Sequence, residues 1–411
     1  MRILIYRELA LPPAYIPRVR YFCSYLLEKG WEVDLVTEAS DEDLYVVEGV
    51  SVLPVKYYKY KSGIKFKIEW GIKTFLSILC DYKGRYFYKK SKDFFEGKQY
   101  DMVFCSSCFT FPLTTAAKTA KRLNVPLFVD LRDIAEQSPD DNHYLNLKLS
   151  GFLGNVIVDF YKKINVKRRN KVLRIADGVT TVSPWHVQTL LQYNPNTHLI
   201  YNGFDENVFV PEKMEADRFT ISYFGRVYNE KMRNPRLLYA ALRNLKENGV
   251  LSHHNTVVKW FIDEQSKEVI RKITEEYGLK DFIQYYSFVE PDKLLPEMNK
   301  SSILLVLCNI ETEKRYFGIM TTKFFEAIGV NRPVLCIPDN RDNLSKLIKD
   351  SNSGLVSSDV SEVENFLQQK FLEWKQTGHT NGTVNETVRM DFSRRKGAEI
   401  LEKLFLSTLK K

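Results

Sequence analysis

Residues 316–339, YFGIMTTKFFEAIGVNRPVLCIPD, constrain the fold of this chain more tightly than any other stretch. The run from Thr322 to Ile328 has helical composition and stops at Gly329. Pro333 to Ile337 is a short, apolar, β-branched run of the kind buried in a parallel sheet. A helix that feeds such a strand belongs to an α/β architecture. Thr321 and Thr322 stand where the helix begins, so their hydroxyls and the open N–H groups of the first turn are suited to hold an anion, with phosphate the natural one. Lys323 and Glu326 lie three residues apart and share a helical face, which places a carboxylate about one turn deeper, where it can accept hydrogen bonds from a ribose diol. A capped surface helix with a Lys/Glu pair has the same spacing.

The same alternation runs through the chain. Residues 2–6 read as a strand, 20–28 as a helix closed by Gly30, and 32–37 as the next strand, a βαβ start. The loop between them, residues 8–18, carries three prolines and no glycine, which excludes the G-x-G-x-x-G loop of a nicotinamide dehydrogenase. Strand-like runs follow at 101–104, 126–130 and 176–183, the second ending in Asp-Leu-Arg-Asp (Asp130 to Asp133). Polar residues at the carboxyl end of a parallel strand point towards a ligand. After the turn pair Asn202-Gly203 the alternation starts again at 220–224, followed by Gly225, Arg226 and Lys231. A glycine closing a strand lets the backbone approach a ligand, and two cations five residues apart can bracket a diphosphate. A last helix, 393–408, carries Ala398, Ile400, Leu401, Leu404 and Phe405, with Ser393 as its N-cap.

A chain of 411 residues is too long for one ordinary core. The expected division is 1–206, 207–390 and a terminal helix 391–411, with the boundary near 206–215. The formal charge of +9 asks for an acidic partner. Six cysteines lie mostly inside apolar runs and fit a reducing cytoplasm; Cys105-Ser-Ser-Cys108 has redox spacing without a thioredoxin-type context. Residues 2–6 already read as strand, so no secretory leader is expected, and no apolar run reaches the length of a membrane span.

Residues 56–92 interleave cations with aromatics. Ile64, Phe66, Ile68, Ile72, Phe75, Leu76 and Leu79 can form an apolar side with Lys65, Lys67 and Lys73 near its edge, which suits a helix lying in an anionic membrane interface. Aromatic–basic interleaving also builds nucleic-acid stacking surfaces, but no helix-turn-helix, zinc or RNP pattern accompanies it. The expected partner is a membrane surface and not nucleic acid, with a solvated flap as the alternative.

Thr-Lys-Phe-Phe-Glu-Ala-Ile-Gly-Val-Asn-Arg-Pro-Val-Leu resembles the TK-x-x-E and G-x-PV signature of retaining GT-B glycosyltransferases (family 4-like, group 1), which include bacterial polysaccharide and lipopolysaccharide transferases. Gly225 to Lys231 is similar to their GR-x-x-x-x-K donor-phosphate motif, DLRD and ADGVTTVS to further elements, and Ile-Tyr-Asn-Gly-Phe-Asp to the turn ending their first domain. The resemblance implies two doubly wound Rossmann-like domains facing a cleft, with the final helix crossing back to the first. It implies transfer of a sugar from a nucleotide-sugar donor to a hydroxyl of a glycan or lipid-linked acceptor. With the cysteines and residues 56–92, the expected place is the cytoplasm, peripheral on the inner face of the plasma membrane. Arg226 and Lys231 then act on the leaving phosphate, and Gly225, Thr321, Thr322, Lys323 and Glu326 bind the donor. Arg18, Arg20, Arg132 and Asp133 lie on the acceptor side. Gly318 occupies the place of an earlier glutamate found in many members, and Arg132 that of a histidine. No DxD dyad compels a metal; Asp140-Asp141 reads as a solvated loop pair. An epimerase or hydrolase of the same plan, and a catalytically silent scaffold, are the alternatives.

Overall fold

The computed structural model describes residues 1–9, 17–39, 47–108, 110–137, 152–227, 229–230, 232–289, 291–308 and 318–410. Lys231, Tyr316 and the Asp140-Asp141 pair fall outside them. The chain divides into two units, Met1–Tyr201 with Gly397–Lys411, and Asn202–Lys396. The division falls ahead of the 206–215 segment expected after the Asn202-Gly203 turn.

The first unit is built on seven parallel strands: β1 (Arg2–Leu9), β2 (Glu32–Glu38), β3 (Ser51–Val55), β4 (Met102–Ser107), β5 (Leu127–Leu131), β6 (Gly178–Thr181) and β7 (Thr197–Leu199). Their order is β3-β2-β1-β4-β5-β6-β7. The second has six: β8 (Phe219–Phe224), β9 (Thr256–Phe261), β10 (Ile283–Tyr286), β11 (Ile303–Leu307), β12 (Val334–Ile337) and β13 (Gly354–Val356), in the order β10-β9-β8-β11-β12-β13. Every residue of β4, β5, β11 and β12 is buried. That is why β11 and β12 read as unbroken apolar runs, and β4 and β5 carry polar residues only towards their carboxyl ends: helices cover both faces of a parallel sheet. In each sheet the strand order reverses once, between β1 and β4 and between β8 and β11. At such a point the connections depart to opposite faces and leave the strand ends open to a ligand.

The helix–strand unit expected around residues 316–339 is present as helix Thr322–Gly329 followed by β12. The first helix is longer than its apolar period suggests, Pro17–Glu28, because proline is well accommodated in the opening turn. The terminal helix is Arg394–Leu409, and Ser393 caps it by accepting from the Lys396 amide at 3.1 Å. Its later turns belong to the first unit. Phe405 packs against Trp31, Phe104 and Phe128 at 6.0, 5.5 and 5.0 Å, and Glu402 accepts from Tyr25 Oη and Trp31 Nε1, each at 3.1 Å. Full burial of a phenylalanine contributes about 1.5–3 kcal/mol, enough to hold this helix down.

Gly203 explains the turn before the second unit. Its φ is +63°, and a Cβ there would lie 2.7 Å from the Phe392 carbonyl oxygen. The close approach lets the Phe204 amide donate to the Phe392 carbonyl at 3.1 Å and the Phe204 carbonyl accept from the Arg394 amide at 2.8 Å.

Candidate functional site

The second unit assembles its site at the β8/β11 reversal. β8 ends at Phe224, and Gly225 follows with φ +137°. A Cβ on Gly225 would fall 2.5 Å from Lys323 Nζ, so the missing side chain is the space that Lys323 occupies. Lys323 lies in the first turn of helix Thr322–Gly329, and its ammonium sits 5.5 Å from the centre of the Tyr223 ring. The glycine and the lysine, read from separate motifs, are thus one packing unit.

Lys323 and Glu326 line a small cavity with Ser222, Phe224, Met298 and Val306. Both keep some accessible surface, yet their charged groups are densely surrounded. Burial, and then the charge of Arg233, pull the Lys323 ammonium down to about 8, against the opposing pull of Glu326. Burial raises the Glu326 carboxyl above its ordinary value, although Lys323 and Arg394 act to lower it. Each group is moved towards its neutral form, so the pair does not compensate for lost water. An anion beside Lys323 and a hydroxyl pair on Glu326 would supply what is missing.

Thr321 is the N-cap residue, and its hydroxyl makes no capping bond to the helix. Arg233, Thr321, Cys308, Ile319 and Asn340 line a second small cavity at this helix start. Gly318 donates its amide to Asp342 Oδ2 at 2.8 Å. Arg226 is half-exposed, with Nε 3.1 Å from Asp263 Oδ2 and its guanidinium 5.6 Å from the centre of the Phe288 ring. Asp263 also caps helix Glu264–Glu276 through the Ser266 amide, which fixes the carboxylate that holds Arg226. Sequence reasoning missed Arg233, Asp263 and Arg394. Arg233 stands two positions beyond Lys231 in the same basic run, the one signal that could have flagged it.

The first unit gathers a second polar cluster at the carboxyl ends of β1, β4 and β5. Arg132 pairs with Glu8, and Glu8 Oε1 also accepts from the Cys108 amide at 3.2 Å. Burial lowers Arg132 to about 10 and raises Asp133, while burial and the neighbouring Asp133 push the Cys108 thiol up. Asp133 nevertheless presents accessible surface. Glu8 Oε2 and Arg132 Nε are buried without a hydrogen-bond partner among the described residues. Such atoms suit an incoming polar ligand.

Arg18 is only 4 % exposed. Its Nε and Nη2 donate to Asp130 at 3.2 and 2.9 Å, and Nη1 donates to the Tyr201 carbonyl at 2.8 Å. Instead of facing an acceptor, it clamps β5 to the end of the first unit. Arg20 lies half-buried on helix Pro17–Glu28. Cys105 is buried with its thiol pushed well up, so the Cys105/Cys108 spacing produces no thiolate pair. Among the described residues, no group of three or more His, Cys, Asp or Glu is placed to hold a metal ion.

This fold is that of the GT-B glycosyltransferases, and residues 18–208 match the model described as Glycosyltransferase Family 4. Among the solved structures that share it are the following three. A sucrose-phosphate synthase from Thermosynechococcus elongatus is 16% identical, with TM-score 0.64 and 99% of each chain covered. HepE from Anabaena in complex with UDP-glucose is 13% identical, with TM-score 0.62 and coverage of 99% of this chain and 100% of that one. The lipopolysaccharide outer core galactosyltransferase WaaB is 12% identical, with TM-score 0.59 and 99% of each chain covered. No curated protein matches the sequence.

The depressed Lys323 has a consequence for pH. Its folded value lies below that of an unfolded lysine, so the unfolded chain binds more protons between about pH 8 and the ordinary lysine range. The burial penalty is fully present below that window and is relieved as pH rises through it. A diphosphate seated on Lys323 would draw the proton back. Binding of inorganic diphosphate at this ammonium should therefore take up protons near pH 8 and weaken by up to about tenfold per pH unit above it. Calorimetry in buffers of differing ionisation enthalpy measures this directly; a binding heat independent of buffer would refute it.

Proposed function

We propose that this protein transfers a sugar, with retention of configuration, from a nucleotide-sugar to a hydroxyl of a glycan or lipid-linked acceptor in bacterial surface polysaccharide synthesis. We place this activity in the cytoplasm. The observation that carries the reading is Lys323 held in the space left by Gly225, at the strand reversal and at the start of a helix whose N-cap hydroxyl makes no capping bond. UDP-glucose bound by HepE supports a uridine diphosphate donor, and the resemblance to retaining transferases supports retention.

In this reading the bond between the anomeric carbon and the diphosphate oxygen breaks as the acceptor oxygen bonds to the same carbon. The acceptor's proton passes to the departing diphosphate. Negative charge grows on phosphate, so the residues that matter are fixed cations. Lys323 and Arg226 supply them, with Arg233 close by and Lys231 expected to add another. Glu326 holds the ribose, and Arg132 and Asp133 receive the acceptor. No metal is required.

Calorimetry with UDP tests the site. Binding should survive a chelator, and Glu326→Ala should raise the donor KM by roughly 10- to 150-fold while kcat changes little, because the ribose does not change during reaction. Unaltered donor affinity in Glu326→Ala, or binding that returns only with added magnesium, would contradict the assignment. Release of UDP only in the presence of an acceptor separates a transferase from a hydrolase, an epimerase and a silent scaffold, and proton NMR of the product reports the anomer.

A further inference from the structure

The helix Gly63–Cys80 in the first unit carries an unusual surface. Ile64, Ile68, Ile72, Phe75 and Leu79 are 77, 59, 56, 59 and 58 % exposed. Their spacings of four and three place them on one continuous stripe, and the rise from Ile64 to Leu79 makes it about 22 Å long. Scattered exposed apolar side chains are ordinary, but an aligned row of five is not.

The rest of the helix is tied to the protein. Lys73 donates to Glu69 at 2.7 Å and to the Tyr57 carbonyl, and Glu69 accepts from the amides of Lys59 and Tyr60 at 2.9 and 3.1 Å. Phe66, expected on the apolar side, turns inward to Tyr58 with ring centres 5.4 Å apart. The orientation of the stripe is therefore set from behind.

We propose that this face seats the protein on an anionic lipid bilayer. Lys65 and Lys67, both exposed, fall on opposite flanks of the stripe, where ammonium groups reach headgroup phosphates while their stems lie along the apolar row. Residues 56–92 contain eleven lysines and arginines against two acids, Glu69 and Asp81. Glu69 is bound inward, so its charge does not oppose an anionic surface. No helix among the described residues is long and apolar enough to cross a membrane, so the stripe lies in the interface. Nucleic acid fits less well. The exposed side chains of the stripe are mostly aliphatic, and the aromatic rings nearby, Tyr57, Tyr58, Tyr82 and Tyr86, pack against one another.

The test is sedimentation of the full chain with vesicles of phosphatidylcholine alone, or of phosphatidylcholine mixed with phosphatidylglycerol. The wild type should pellet with the mixed vesicles and far less with the neutral ones. Ile68→Ser/Phe75→Ser should lower the partition coefficient roughly tenfold or more, and Lys65→Gln/Lys67→Gln should remove most of the preference for anionic lipid. All four positions lie on the protein surface, so melting temperatures should hold, and UDP calorimetry on the same variants reports the donor site independently. Equal pelleting of wild type and Ile68→Ser/Phe75→Ser would overturn the proposal. So would a dimer in light scattering that the serine substitutions dissolve without any vesicle binding. Tighter binding to a single-stranded oligonucleotide than to anionic vesicles would overturn it as well.

Discussion

Replacing Lys323 with methionine is expected to cut kcat/KM for the donor by roughly 10²- to 10³-fold, the range seen when a fixed donor to developing charge is removed. Methionine has a similar length and no charge, so it can fill the space over Gly225. The ammonium it replaces is already held down to about 8 by burial, and a desolvated charge destabilises the free protein. The melting temperature should therefore stay level or rise while turnover falls. That opposition between stability and activity is what a binding cation predicts and a structural one does not. Gly225→Ala approaches the same point from the other side: its methyl would lie 2.5 Å from Lys323 Nζ, and its φ of +137° suits glycine alone, so Lys323 must move. Full turnover of folded Lys323→Met with saturating donor would mean that the ammonium does not face the leaving phosphate.

The second large effect concerns Asp130. This fully buried carboxylate on β5 accepts from Arg18, from Ser106 at 2.8 Å and from Thr180 at 2.8 Å, joining four segments of the first unit. Asp130→Ala leaves the Arg18 guanidinium buried without its counter-ion. Breaking such a pair costs about 3–5 kcal/mol. For a unit of this size that corresponds to a fall of roughly 6–20 °C in the transition of the first unit. Adding Arg18→Met removes the uncompensated charge and should restore much of the loss, since replacing both partners of a buried pair costs far less than replacing one. Scanning calorimetry of the two single variants and the double variant measures the coupling. If the single losses simply add in the double variant, the two side chains do not form the clamp described above.

The two predictions mark where sequence reasoning reached and where it stopped. The family resemblance places Arg18 on the acceptor side, as an arginine at the start of the first helix. Its use as an interior clamp depends on Asp130, 112 positions away, and no local pattern carries that pairing. The Lys323/Glu326 face was legible because helical periodicity puts residues three apart side by side, and the two do line one cavity. Gly225, by closing a strand, is expected to let the backbone approach a ligand, whereas the space of its missing side chain is filled by Lys323.

The sequence by itself determined the alternation of strands and helices, the restart of that alternation after Gly203, and the identity of the residues at the start of helix Thr322–Gly329. These follow from apolar periodicity, turn chemistry and capping, which act within a few residues of the chain. Only the tertiary structure decided that β8 lies beside β11, which brings Gly225 against Lys323, and that Arg18 turns inward to β5. It also decided which face of helix Gly63–Cys80 is bound from behind and which row of apolar side chains stays exposed. The physical reason is one of range: propensity and period are written locally, whereas burial, and with it the charge state of Lys323 and the clamp at Asp130, depends on which distant segments exclude water.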